Sequence, residues 1–186
     1  MSAHEAIQRG FSGIMLRSTG VKWDLRAVTP YECYSELTFE TPITTNGDCF
    51  DRYTLRVEEM RQSLAIIEGC LNKIPNGPIK NEDYKISPPP REILKTSMEG
   101  LIHHFKYFTD NLTLPEAEAY AGIESPKGEF GVYLATNKSN RPYRCKIRSP
   151  GLIHLQALDY MAYNHFLADV TTIIGTQDVV FGEIDR

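Results

Sequence analysis

The chain has 186 residues, 41% of them hydrophobic and 24% charged, with a formal net charge of −4. Such a length suits one domain, or one compact part of a larger assembly, able to bury roughly 70% of its unfolded surface if it stands alone. The acidic balance, with no basic stripe interleaved with aromatics, argues against nucleic acid, and apolar runs such as "VTTIIG" are too short to cross a bilayer, so any membrane association is expected through a partner.

The opening "MSAHEAIQRG" contains His4, Glu5 and a single arginine, which does not suit a transit peptide. Either the protein is made where it works, or a presequence has been removed. Residues 10–47 are rich in Gly, Thr, Pro and aromatics without a helical period. They read as irregular chain with short extended pieces such as Leu37 to Glu40.

The period then changes. Phe50, Tyr53, Val57, Met60, Leu64, Ile67 and Leu71 recur at spacings of three and four, an amphipathic helix for which Asn46 or Asp48 is the candidate cap. "IPNGPIKN" ends it. A second helix is predicted after "SPPPRE", where prolines are tolerated in the first turn, with Leu94, Met98, Leu101, Phe105, Phe108 and Leu112 on one stripe. The pair is expected to pack antiparallel, seam to seam, as a bundle over 48–114.

Past Pro115 the period shortens to two. Phe130, Val132 and Leu134 alternate, "TNKSN" supplies a turn, and Tyr143, Cys145 and Ile147 alternate again. This predicts a β-hairpin of Glu129–Ala135 with Pro142–Arg148 inside a region 115–149. "LIHLQALDYMAYNHFLADVTTII" returns to helix, bent or split near Asn164, and a tail completes 150–186. The fold class expected is α+β, mainly a helical bundle with a small antiparallel hairpin, arranged as a single piece.

No GxGxxG, GxxxxGK[ST] or HExxH motif is present. His103 and His104 are adjacent, hence about 100° apart on a helix, and read as surface or packing side chains rather than metal ligands. His154 and His165 lie in apolar helical stretches and read as satisfied interior groups. The four cysteines, Cys33, Cys49, Cys70 and Cys145, form no CxxC pair, and no secretory signal precedes them. Free thiols in a reducing compartment follow, and the sequons at Asn111 and Asn137 then carry no glycosylation meaning.

Two clusters resist a purely local account. In "ESPKGEFGVYL", Lys127 is bracketed by Glu124 and Glu129 at the mouth of a strand. In "RPYRCKIRSPG", Arg144, Lys146 and Arg148 share one face, either a solvated edge strand or a cationic face for an acidic partner or an anion. The tail "GTQDVVFGEIDR" mixes Val179, Val180 and Phe181 with Asp178, Glu183 and Asp185. It is either a structural clamp or a segment threaded into a pocket, where carboxyls beside apolar lining suit proton-coupled chemistry.

"FSGIMLRSTGVKWDLR", "GDCFDRYTLRVEEMRQSLAII", "KTSMEGLIHHFK", "IESPKGEFGVYL", "RPYRCKIRSPGLIHL" and "GTQDVVFGEIDR", in that order, resemble the C-terminal half of the 49-kDa-type, or D-type, subunit of respiratory complex I, the NADH:ubiquinone oxidoreductase. The resemblance runs from about Gly10 to Arg186. It implies kinship with the large subunit of nickel–iron hydrogenases and a seat in the peripheral arm beside the subunit holding the terminal iron–sulfur cluster. Together those two subunits form the ubiquinone pocket, and electron transfer from NADH is coupled to proton translocation. NADH, FMN and the clusters belong to partner subunits, and this chain is implied to bind no cofactor of its own.

Where hydrogenases carry DPCxxC, this chain has "TQDVVFGEID", without the soft thiolates that hold nickel. Carried over, Val180 and Phe181 line the quinone pocket and Asp185 supports its end; the catalytic residues stay unassigned. The half of the family that precedes this segment has no counterpart here, so its partner is expected to be that N-terminal half, as a separate chain or missing from a truncated one. The compartment implied is the matrix side of the mitochondrial inner membrane, or else the cytoplasmic side of a bacterial plasma membrane. The rival readings are a scaffold piece without quinone contact and a hydrogenase-type large subunit.

Overall fold

Local signals start most helices. In the computed structural model, which describes residues 1–185, Ser2 opens α1 (Ala3–Gln8) with a reciprocal capping box to Glu5. Gly13, at φ +63°, opens α2 (Ile14–Arg17), and Asp24 caps α3 (Leu25–Val28) by accepting from the Arg26 N–H. A 3₁₀ turn follows at Tyr34–Glu36. Residues 10–47, expected to be irregular, thus carry short helices whose lengths are too small to register as a period. Leu37 to Glu40 extends without pairing into a strand.

α4 (Cys49–Lys73) is the long helix expected, and Asp48 is its cap, accepting from the Asp51 N–H at 2.8 Å. The second expected helix is two. α5 (Arg91–Thr96) and α6 (Met98–Thr109) are separated by Ser97, which takes an extended conformation and caps α6 by accepting from Gly100 N. Serine's competition for nearby backbone amides explains the break that an unbroken apolar stripe conceals.

The predicted hairpin is present within a three-stranded antiparallel sheet of order β1 (Ala117–Ser125), β2 (Gly128–Thr136), β3 (Arg144–Arg148). β1 is an addition to the expected hairpin, because "AEAYAGIES" is poor in branched residues and gives little strand signal. The apolar stretch near the C-terminus splits into α7 (Pro150–Gln156), α8 (Leu158–Ala162) and α9 (Leu167–Gln177), with Asn164 at φ +63° in the gap. That is the break expected at Asn164. α10 (Phe181–Ile184) closes the described chain.

The chain divides into two units, Met1–Lys73 with Ala121–Val132 and Ile147–Arg186, and Ile74–Tyr120 with Tyr133–Lys146. α4 belongs to the first, and α5 and α6 to the second. The first unit holds a small core of Ala6, Phe11, Met15, Leu16 and Ala157, flanked by Val21, Ile153 and Met161. It also contains a close backbone crossing. A Cβ on Gly13 would lie 2.5 Å from the Gly128 Cα, so only glycine fits where β2 begins beside α2. In the second unit α5 and α6 pack through Ile93 and Gly100.

α4 inverts the expected use of its faces. Asp51, Arg52 and Leu55 are buried, while Phe50, Tyr53, Met60, Leu64, Ile67 and Leu71 are 54–72% exposed. At about 100° per residue these sets fall on nearly opposite sides. The apolar stripe therefore faces solvent, and the inward face is the charged one.

Candidate functional site

The inward face of α4 meets a buried ion-pair network. Arg17, 1% exposed, donates to Glu59 on α4 at 2.5 Å, to Glu124 on β1 at 2.8 Å and to the Trp23 carbonyl at 2.9 Å. Glu124 also accepts from the Leu25 N–H, and its own N–H donates to the Tyr31 hydroxyl. Burial pushes the Glu124 carboxyl above its ordinary value, against the pull of Arg17. Arg26 pairs with Asp24 at 2.7 Å. Arg17, Arg26, Arg56, Glu59 and Glu124 together line a cavity of about 500 Å³.

The same charged side of α4 reaches the tail. Asp178 ends α9 in the left-handed conformation, φ +56°. Its carboxylate accepts from Lys127 Nζ at 2.9 Å and faces Arg56 at 3.6 Å. Lys127 also donates to the Asp178 carbonyl at 2.6 Å, and Arg56 to the Thr176 carbonyl at 2.8 Å. Lys127 occupies the tight turn between β1 and β2, so the hairpin tip fixes the point where α9 gives way to the tail. This accounts for the lysine bracketed by acids: Glu124 turns inward to Arg17, Lys127 to Asp178, and Glu129 to Arg148 at 3.4 Å.

A second anchor follows five residues on. Glu183 in α10 accepts from Ser149 Oγ at 2.7 Å and from the Gly151 N–H at 3.0 Å, at the start of α7. A Cβ on Gly151 would sit 3.1 Å from that carboxylate, so the fit uses the absent side chain. Between the anchors the chain turns Val180 and Phe181 outward, 46% and 75% exposed, and Asp185 is exposed at the end. The sequence-predicted trio thus lies on one short segment, which Lys127 and Arg56 hold through Asp178 and Ser149 holds through Glu183; sequence reasoning assigns none of these contacts, nor the separate network of Arg17 with Glu59 and Glu124. The available signal is Arg17 itself, a charge closing the apolar run "GIML".

The remaining histidines and bases have simpler settings. His154 is fully buried, with the Ser12 N–H donating to Nε2 at 3.4 Å and the Phe11 ring edge-on at 5.0 Å; it is interior as expected but only half satisfied, since Nδ1 has no hydrogen-bond partner among the described residues. His103 sits one helical turn from Glu99. His165, expected as an interior helical group, is instead exposed in the break before α9, where the chain turns at Asn164, with Asp169 at 3.9 Å. β3 is an edge strand. Arg144 and Lys146 on it are exposed, while Arg148 turns to Glu129 and to the carbonyls of Glu129 and Gly10. Among the described residues no group of three or more His, Cys, Asp or Glu side chains is placed to hold a metal ion. No helix among them is long and apolar enough to cross a membrane.

A family model described as the respiratory-chain NADH dehydrogenase, 49 Kd subunit, matches residues 1–186. The whole chain aligns with the NADH dehydrogenase [ubiquinone] iron-sulfur protein 2 of Nephroselmis olivacea at 60% identity, over 47% of that protein. It aligns equally completely with a bacterial NADH-quinone oxidoreductase subunit, that of Wolbachia sp. subsp. Brugia malayi (strain TRS), 59% identical over 48% of it. The NADH-ubiquinone oxidoreductase 49 kDa subunit of Reclinomonas americana is 59% identical, over 47% of its length. The chain spans about half the length of the curated relatives it matches, as their C-terminal part.

Proposed function

The chain belongs to the family of respiratory-chain NADH dehydrogenase 49-kDa subunits, and from that premise we propose that it is the C-terminal half of a core subunit of a proton-translocating NADH:quinone oxidoreductase. Its part is to form one wall of the quinone-reduction site, with Val180 and Phe181 as apolar lining and Asp185 at the end of that wall. The carrying observation is the tail's geometry. Two charged anchors, at Asp178 and Glu183, hold an exposed Val–Phe pair in a fixed place. An apolar pair held open to solvent by such anchors suits a lipid-like acceptor arriving from outside this chain.

In this reading NADH, FMN and iron–sulfur clusters sit on partner subunits, and ubiquinone is substrate. The partners are the preceding half of the subunit, the neighbouring cluster-bearing subunit and the rest of the particle. The exposed apolar stripe of α4 supports a companion of that kind. The hydrogenase-like fold belongs to the same proposal. So does the site on the matrix side of a mitochondrial inner membrane, with a bacterial plasma membrane as the alternative; the relatives include eukaryotic and bacterial proteins.

A scaffold role has one observation in its favour, the Glu183 clamp onto α7, which a purely structural tail also needs. Val180→Met separates the two. Changed affinity for quinone or a quinone-site inhibitor, in a normally assembled enzyme, supports the pocket wall. Unchanged kinetics favour the scaffold.

A further inference from the structure

Arg52, on the inward face of α4, is only 4% exposed. Its guanidinium donates to the Gly47 carbonyl at 3.3 Å and to Thr176 Oγ1 at 3.4 Å. Its other contacts are Cys49 Sγ at 3.9 Å and Met161 Sδ at 3.7 Å, and Nε has no acceptor. Thioether and thiol sulfurs are weak acceptors. The other arginines on the inner side of this unit have carboxylates: Arg17 has Glu59 and Glu124, Arg26 has Asp24, and Arg56 faces Asp178. Among the described residues, none lies within ion-pair distance of Arg52. A buried cation left without its anion is strongly destabilising.

Arg52 lines a cavity of about 770 Å³, whose wall also holds Met1, Cys49, Phe50, Tyr160 and Tyr163. The acids on that wall are engaged elsewhere. Glu5 accepts from Ser2 and Tyr160, Asp48 from the Asp51 N–H, and Asp169 from the Phe166 N–H. In the relatives, a comparable length of polypeptide precedes the shared segment, so there the preceding chain arrives where Met1 stands, at this cavity's wall.

We propose that the cavity over Arg52 is a docking seat for a carboxylate side chain from the preceding half of the subunit, which completes a buried ion pair across the junction. The inference rests on the family reading above. Guanidinium and carboxylate match as a two-pronged pair, and Glu5, Asp48 and Asp169, the acids on the cavity wall, each accept from other groups rather than pairing with Arg52.

The test uses the assembled oxidoreductase. Its structure is expected to show an Asp or Glu oxygen from outside residues 1–186 within about 4 Å of the Arg52 guanidinium, an ordinary ion-pair distance. Water, a free anion or Asp48 in that place overturns the proposal. Arg52→Met gives an independent reading by sign. If the carboxylate is there, the substitution strands it and lowers the yield of assembled enzyme at least tenfold, while Arg52→Lys largely preserves it. If no carboxylate comes, removing an unmatched buried charge leaves yield unchanged or raised. Failure to find the chain in any quinone-reducing particle sinks the function itself; finding it there with Arg52 unmatched sinks only this seat.

Discussion

The buried imidazole of His154 should titrate far from its ordinary value, and the shift has a defined sign. Burial holds its pKa down, from 6.5 to about 4, with Arg148, Arg56 and Arg52 adding to the effect and Glu183 opposing it. Geometry says why. Nε2 already accepts the Ser12 N–H, so a proton there would set two donors face to face. Because the folded pKa lies below the unfolded one, the neutral ring is the stabilising form. Its contribution is complete above about pH 6.5 and is lost as pH falls through 4. A shift of that size corresponds to about 3 kcal/mol between neutral pH and pH 4. Hydrogen–deuterium exchange at the imidazole carbon, read by mass spectrometry on the intact assembly, reports each histidine separately. The expected midpoint for His154 is near 4. A midpoint at the ordinary histidine value would refute the burial argument and the acceptor role of Nε2.

Arg17→Met removes the cation between Glu59 and Glu124 and leaves both carboxylates in the interior. A loss on the order of 3–5 kcal/mol is expected, seen as failure of the chain to accumulate, with partial recovery on adding Glu124→Gln. Asp178→Asn removes the carboxylate that Lys127 and Arg56 share. Faster backbone amide exchange over Val179 to Ile184, with exchange in α4 unchanged, is the expected result; uniform exchange across both would show that Asp178 anchors nothing locally.

The legible features are those written in local chemistry. The period of α4, its cap at Asp48, the turn at Asn164 and the alternation of β2 and β3 each depend on residues within a few positions of one another. What stays hidden depends on distant partners. Nothing near Ser97 in the apolar stripe reveals that its hydroxyl ends one helix and starts another. "AEAYAGIES" becomes a strand because β2 lies beside it, not because its residues prefer one. The tail is legible as a contradiction, apolar and acidic together, and its resolution needs Lys127 and Ser149, dozens of residues away. The stripe of α4 is legible as a period, but the side of the helix that goes inward is the opposite one. Periodicity reports that a face is apolar and never names what covers it.

That outward stripe on α4 has a consequence for the cell. A chain released from the ribosome with such a surface bare is prone to self-association and to capture by chaperones and proteases. Its abundance should then follow the supply of whatever shields the helix, so that synthesis of surplus copies yields turnover products rather than a free pool.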